Sequence, residues 1–209
     1  MKKLLFFGDS ITDAQRQRDN DYFLGNGYVT VIAGNIGCEY PGQYEFINRG
    51  ISGNRIVDLY ERIKIDCLNL KPDYITVFVG VNDVLHEAAH KNGVENEKFY
   101  KIYKMLLEEI KEALPDVKII LVEPFVYEDP ETEYALSYIL SEVPKRAEMV
   151  RKLAKEFDIP CILIKDKLDE KILKANQKYY VKDGVHPTAM GHGIIAKEWE
   201  RVFKKYENL

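Results

Sequence analysis

Short runs of consecutive apolar residues alternate along this chain with longer stretches whose apolar positions recur every three or four residues. The runs at 4–7 (LLFF), 44–48 (YEFIN), 74–79 (YITVFV), 118–122 (KIILV) and 160–164 (PCILI) predict five strands. Several are apolar at successive positions, the pattern of a parallel sheet covered on both faces. Between them, 27–36, 56–70, 99–114, 135–157 and 190–206 have helical spacing. It puts Ile56, Leu59, Tyr60 and Ile63 on one face of the second, and Phe99, Ile102, Tyr103, Leu106, Ile110 and Leu114 on one face of the third. The last carries Ile194, Ile195, Trp199 and Phe203, and Pro144 is expected to bend or split the fourth. With no repeat and no linker, this order predicts an α/β protein with one three-layer α/β/α domain over 1–209. Ligands of such sheets gather beyond the carboxyl ends of the strands, where the winding reverses. The segments following the first three strands should therefore share one rim.

Composition narrows the function. The chain has 209 residues, 46% hydrophobic and 31% charged, enough to enclose a substantial core. Its net charge of −4 is spread along the sequence without a basic patch, which argues against nucleic-acid binding. No apolar run approaches the roughly 18 residues that cross a membrane. MKKLLFF starts as a signal peptide does, but its apolar run falls short of the roughly 7–15 residues required, so a cytoplasmic location is expected. Cys38, Cys67 and Cys161 are odd in number, far apart and beside apolar residues, and read as reduced core thiols.

Chemistry concentrates in four segments. Gly8-Asp9-Ser10-Ile11-Thr12-Asp13 follows the first strand, and Asn48-Arg49-Gly50-Ile51-Ser52-Gly53-Asn54 follows the second. Gly80-Val81-Asn82-Asp83 follows the third, and Asp183-Gly184-Val185-His186-Pro187 leads into the last helix. Singly, each has an ordinary reading: Ser10 as a helix cap, Asn82 as a turn asparagine, Asp9, Asp13 and Asp83 as carboxylates bonding rim backbone. Taken in order, GDSIT, GISGN, GVND and DGVHP resemble the four motifs of the SGNH hydrolases, also called GDSL-type esterases and lipases. The resemblance implies a flavodoxin-like sandwich with sheet order 2-1-3-4-5, a nucleophile at Ser10, and a base formed by His186 with Asp183. It further implies oxyanion donors at Ser10, Gly53 and Asn82, and no cofactor. The longer stretches GDSITD, Leu24 to Val29, NRGISGNR, GVNDV and DGVHPTAMGH are most similar to carbohydrate acetylesterases, acetylxylan esterases included. That similarity implies removal of short acyl groups, acetyl foremost, from small sugars through an acyl-enzyme; it also admits a homo-oligomer. Lysophospholipase, thioesterase and aryl esterase activities occur in the same family and stand as alternatives.

Elementary chemistry supports these roles. A serine hydroxyl is a poor nucleophile until a base takes its proton, and neutral imidazole does so near pH 7, with an ordinary pKa of about 6.5. Asp183, three residues before His186, can accept a hydrogen bond from the far ring nitrogen and fix the tautomer. Backbone N–H groups of Ser10 and Gly53 and the Asn82 amide can meet the oxyanion. Asp9, Asn54, Tyr22 and His86 are expected at the substrate rim. The polar, aromatic-dotted segments 12–28 and 123–134, the latter with Glu123, Phe125, Tyr127, Glu128 and Tyr134, are expected to border it and to suit a sugar. Three other readings remain. His86-Glu87-Ala88-Ala89-His90 has the letters of a zinc-hydrolase helix but no third ligand at a familiar spacing, so no metal is expected. Asp9 could be the nucleophile of a Mg²⁺-dependent phosphoryl-transfer enzyme, and the scaffold could serve as a carbohydrate-binding module. His192, between two glycines, is expected near the site without taking part.

Overall fold

Successive side chains of a strand point to opposite faces, and β1 (Lys2–Gly8) buries both sets: Leu4 and Phe6 on one side, Leu5 and Phe7 on the other. In the computed structural model, which describes residues 1–129 and 135–209, β1 is flanked by β2 (Tyr44–Gly50) and β3 (Tyr74–Phe78). Beyond these lie β4 (Lys118–Val122) and β5 (Cys161–Ile162), and every pairing is parallel, in the order β2-β1-β3-β4-β5. Parallel neighbours need crossovers, and the helices that supply them cover both faces. Against Leu4, Phe6, Phe78, Ile120 and Val122 pack α2 (Tyr28–Glu39), α8 (Ile164–Ile172) and α10 (Ala189–Glu207). Against Leu5, Phe7, Ile75, Val77, Ile119 and Leu121 pack α3 (Ile56–Glu61), α6 (Asn96–Ala113) and α7 (Leu136–Glu156). Each fully buried large apolar side chain contributes about 1.5–3 kcal/mol, so the two layers hold the strand ends in place. Thr76, in the centre of the sheet, is satisfied by the Trp199 Nε1–H at 2.7 Å. Among the described residues, no helix is long and apolar enough to cross a membrane.

Several elements depart from the periodicity. The predicted helix 56–70 is three pieces: α3, α4 (Ile63–Asp66) and a 3-10 turn at Leu68–Leu70. The first break falls at Arg62, whose side chain turns inward to bond main-chain carbonyls of β1 and β2. The predicted strand 160–164 yields only two paired residues, and Ile164 begins α8, since an apolar run of that length satisfies either periodicity. Asn82 opens a helix, α5 (Asn82–His90), and α9 (Gln177–Tyr180) was not foreseen. Pro144 does not split α7, which runs continuously through it. Of the thiols expected in the core, Cys67 is buried and Cys161 partly so, but Cys38 is exposed on α2. Phe125 and Tyr127 are buried in the core rather than bordering the rim, while Tyr134 lies outside the described residues.

Candidate active site

The carboxyl ends of β1 and β2 are joined by close backbone approaches that leave no room for side chains. Ile51 N–H donates to Gly8 O at 3.1 Å, and a Cβ on Gly50 would lie 2.1 Å from the Asp13 nitrogen. Ser10 opens a one-turn helix, α1 (Ser10–Asp13), immediately beyond β1. Asp9 caps that turn by accepting the Ile11 N–H at 3.0 Å. Asp13 accepts the N–H and the hydroxyl of Ser52, and Asp83 accepts the Ile56 N–H through both oxygens. These three acids therefore fasten rim loops to one another. Burial pushes the Asp9 carboxyl up to about 7, against the opposing pull of the Ile11 N–H and of His186; it raises Asp83 as well. With 1% exposure, Asp9 lies beneath the rim and not on it. A buried carboxyl that resists ionisation is also poorly placed to attack a phosphoryl group.

On the opposite side, the chain between α9 and α10 folds back through the bridge of Val181 with Pro187. Gly184, at φ +78°, makes the tight turn, and a Cβ there would stand 2.6 Å from Tyr127 O. Asp183 and His186 face each other across this turn. Asp183 Oδ1 accepts the backbone N–H of His186 at 2.7 Å and of Val185 at 3.1 Å, while Oδ2 stands 2.8 Å from His186 Nδ1. His186 Nε2 is 2.9 Å from Ser10 Oγ. Hydroxyl, imidazole and carboxylate thus form one chain of hydrogen bonds from residues 176 positions apart. Partial burial pushes the Asp183 carboxyl up, but the three N–H donors outweigh it and hold it down to about 2. The hydrogen bond to Asp183 raises the His186 imidazole above its usual value, with burial opposing.

The candidate oxyanion donors stand on the three neighbouring loops. The N–H groups of Ser10 and Gly53 have no protein acceptor among the described residues. Gly53 adopts φ +83°, the left-handed region that glycine enters without strain. Asn82 Nδ2 donates one hydrogen to Asn54 O at 3.1 Å, which orients the amide and leaves its second hydrogen available. Asn54 and Arg62 are the partners behind these donors. Arg62 Nε donates to Asn54 Oδ1 at 2.8 Å, Nη1 to Arg49 O at 2.9 Å and Nη2 to Gly8 O at 3.1 Å, and the guanidinium lies over the Phe7 ring. Nothing in its sequence context marked Arg62, because its partners lie up to 54 residues away. Arg62→Met keeps an apolar stem on Phe7 but strips four acceptors of their donor, the Asp66 carboxylate at 2.9 Å among them, and should cost about 2–3 kcal/mol of stability. Urea unfolding measures this; an unchanged midpoint would mean that water replaces the guanidinium at no cost.

Ser10, Asp183 and His186 open onto a cleft of about 570 Å³. Ile11, Ala14, Pro187 and Ala189 supply its small apolar surfaces; Gln15, Asn26, Ser52 and Lys182 supply polar ones. Asn26 belongs to the segment 12–28 expected to border the rim, whereas Lys182 has no mark in the sequence beyond directly preceding Asp183. His192 lines the cleft too, but its Nδ1 accepts the Tyr28 N–H at 3.1 Å and burial pulls its pKa down to about 4. It is a neutral cap on α2. Tyr22 is 99% exposed and borders a different depression, with Met1, Tyr44 and Phe46. His86 is half-buried beside Gly53, its Nε2 3.9 Å from where a Cβ would stand. Glu87 accepts the Gly93 N–H, and among the described residues no three ligating side chains are grouped for a metal.

Relatives resemble this chain along nearly its whole length. An acetylxylan esterase from Geobacillus stearothermophilus is 31% identical over 207 residues, which cover 96% of this chain and 93% of the relative. Its crystal structure superposes with a TM-score of 0.81 at 30% identity over 96% of this chain and 93% of that one. Catalytic variants of that enzyme replace a serine, an aspartate or a histidine by alanine, the aspartate three positions before the histidine. A further variant replaces a tryptophan directly before that aspartate. The structure of a GDSL-like protein from Parabacteroides merdae gives a TM-score of 0.90 at 34% identity, over 96% of this chain and 94% of that one. The sequence model of the GDSL-like lipase/acylhydrolase family matches residues 6–194. The chain belongs to this family and is a carboxylic ester hydrolase.

Proposed function

We propose that the protein is a serine esterase that removes acetyl groups from small carbohydrates through an acyl-enzyme on Ser10. The observation carrying this reading is the 2.9 Å contact of Ser10 Oγ with His186 Nε2 in an open cleft. His186 takes the hydroxyl proton as Oγ attacks the ester carbonyl, and Asp183 stabilises the imidazolium that forms. Negative charge gathers on the carbonyl oxygen, where the N–H groups of Ser10 and Gly53 and the Asn82 amide receive it. The imidazolium returns its proton to the leaving alcohol. A water activated by His186 then attacks the acyl carbon and releases the acid, restoring Ser10.

The cleft favours a short acyl group on a polar alcohol. Its apolar lining is limited to Ile11, Ala14, Pro187 and Ala189, while Gln15, Asn26, Ser52 and Lys182 offer hydrogen bonds. A volume of about 570 Å³ falls within the range of small-molecule sites. The named activity of the Geobacillus relative supports the same substrate class. The test is acetate release from acetylated xylo-oligosaccharides set beside hydrolysis of p-nitrophenyl acetate, butyrate and octanoate, each with and without EDTA. The reading requires the acetyl esters to be cleaved fastest and EDTA to have no effect; preference for octanoate would favour a lipid substrate instead.

The pH profile follows from the triad. Neutral imidazole is the base, so activity rises as His186 loses its proton, and its raised pKa puts the midpoint of kcat/KM above about 6.5. The linked stability has the opposite slope. His186 contributes stability fully below its unfolded pKa and loses it as pH rises through the folded value. Asp183, held down to about 2, contributes above its unfolded pKa and loses that contribution as pH falls through the folded one. A rate flat between about pH 5 and 8 would exclude imidazole as the base.

A further inference from the structure

Outside Asp183 and His186, one residue lining the cleft carries a charge: Lys182. Its side chain has no ion-pair or hydrogen-bond partner among the described residues. The main chain beneath it is tied into the turn, because the Lys182 N–H donates to His186 O at 3.1 Å inside the Val181–Pro187 bridge. An unpaired ammonium is thus rooted next to the reactive imidazole, and its charge opposes protonation of that ring.

The Geobacillus esterase differs from this chain at the same position. Asp183 and His186 repeat the spacing of that enzyme's catalytic aspartate and histidine, so Lys182 stands in the place of its tryptophan. An indole offers a flat apolar face to a neutral sugar ring. An ammonium offers a point charge and three donors.

We propose that Lys182 directs this enzyme toward acetyl esters whose alcohol carries a carboxylate, an acidic sugar in place of a neutral one. This rests on the esterase reading and deepens it. A carboxylate, with its single negative charge, matches the one unpaired cation that lines the cleft among the described residues, whereas a phosphate monoester, nearly doubly charged at neutral pH, would call for further positive charge. The alcohol side of the ester is the side concerned, because the acetyl group is too small to reach beyond the apolar patch around Ser10. Asn26, Gln15 and Ser52 remain to bond the hydroxyls.

The experiment compares two aryl acetates, 4-acetoxybenzoate and its methyl ester, which differ in the carboxylate. For wild type, Lys182→Gln and Lys182→Glu, the readout is the ratio of kcat/KM for the anionic ester to that for the neutral one. Intrinsic reactivity cancels when ratios are compared between proteins. Lys182→Gln should lower the ratio about threefold to fivefold, as expected for a partly exposed ion pair. Lys182→Glu should lower it about tenfold or more, repulsion replacing attraction. The wild-type advantage should shrink in 1 M salt, where the screening length is about 3 Å. Measurements at a pH well above the His186 midpoint keep changes in that imidazole from entering. An identical ratio in all three proteins would overturn the proposal, as would a ratio that rises on loss of the ammonium. Failure to cleave either ester would remove the esterase reading itself, an outcome distinct from a flat ratio.

Discussion

Ser10→Ala is expected to reduce kcat on p-nitrophenyl acetate by about 10⁴-fold or more, the scale set by removal of the nucleophile from a serine triad. The side chain is half-buried, and its one hydrogen bond runs to His186 Nε2 at 2.9 Å. Deleting the hydroxyl leaves that nitrogen facing an open cleft where water can take its place. The Asp183–His186 contact and the capping bond from Asp9 to Ile11 do not pass through the hydroxyl, so the fold should persist. Activity should therefore vanish with little change in Tm. Mass spectrometry supplies the second half of the test. Wild type mixed with excess substrate and quenched should carry one acetyl group on the peptide containing Ser10, and the variant none. Near-wild-type turnover by Ser10→Ala would sink the acyl-enzyme mechanism and return attention to a water-based route through His186.

The legible parts of this molecule were those encoded locally. Both faces of β1 could be read from four residues, because a strand covered on two sides must be apolar at successive positions. The Asp183–His186 relation was equally local, two side chains separated by a glycine turn. What escaped prediction was set by distant partners. The helix expected over 56–70 breaks at Arg62 because carbonyls from β1 and β2 draw that residue inward. Phe125 and Tyr127 looked like a rim for sugars, but an aromatic after a strand can turn into the core as easily as out of it. Tyr22 shows the converse, an exposed ring on the same side of the sequence as Ser10 that borders another depression. Asp9 bonds backbone as its position beside Ser10 suggested, but burial beneath the rim keeps it from the substrate edge where it was also expected. Motif order pointed to Ser10, His186 and Asp183, which the fold joins by hydrogen bonds, while packing determined which neighbours line the cleft.

Asp183→Asn should prove nearly as damaging as loss of Ser10, with kcat falling about 10⁴-fold, as when the acid of such a triad becomes an amide. The hydrogen bonds fix the direction of the effect. Asp183 Oδ1 accepts two backbone N–H groups, from His186 at 2.7 Å and Val185 at 3.1 Å. Neither can be met by an NH₂ group, so the asparagine oxygen must take the Oδ1 position and its NH₂ must take that of Oδ2. There it faces His186 Nδ1 across the 2.8 Å now spanned by the carboxylate. The amide donates to Nδ1, which forces the ring proton onto Nε2, the atom that must accept the proton from Ser10. The base is then occupied while the fold is retained. Loss of the negative charge also removes the main support for the imidazolium, so the His186 pKa should drop below its wild-type value. ¹⁵N chemical shifts of the ring report both changes, the tautomer and the midpoint. Alanine makes an informative contrast, because it leaves the ring free to choose its tautomer and should retain more activity than asparagine. If the two variants lose the same activity and the Asn variant keeps the proton on Nδ1, Asp183 is not what sets the tautomer.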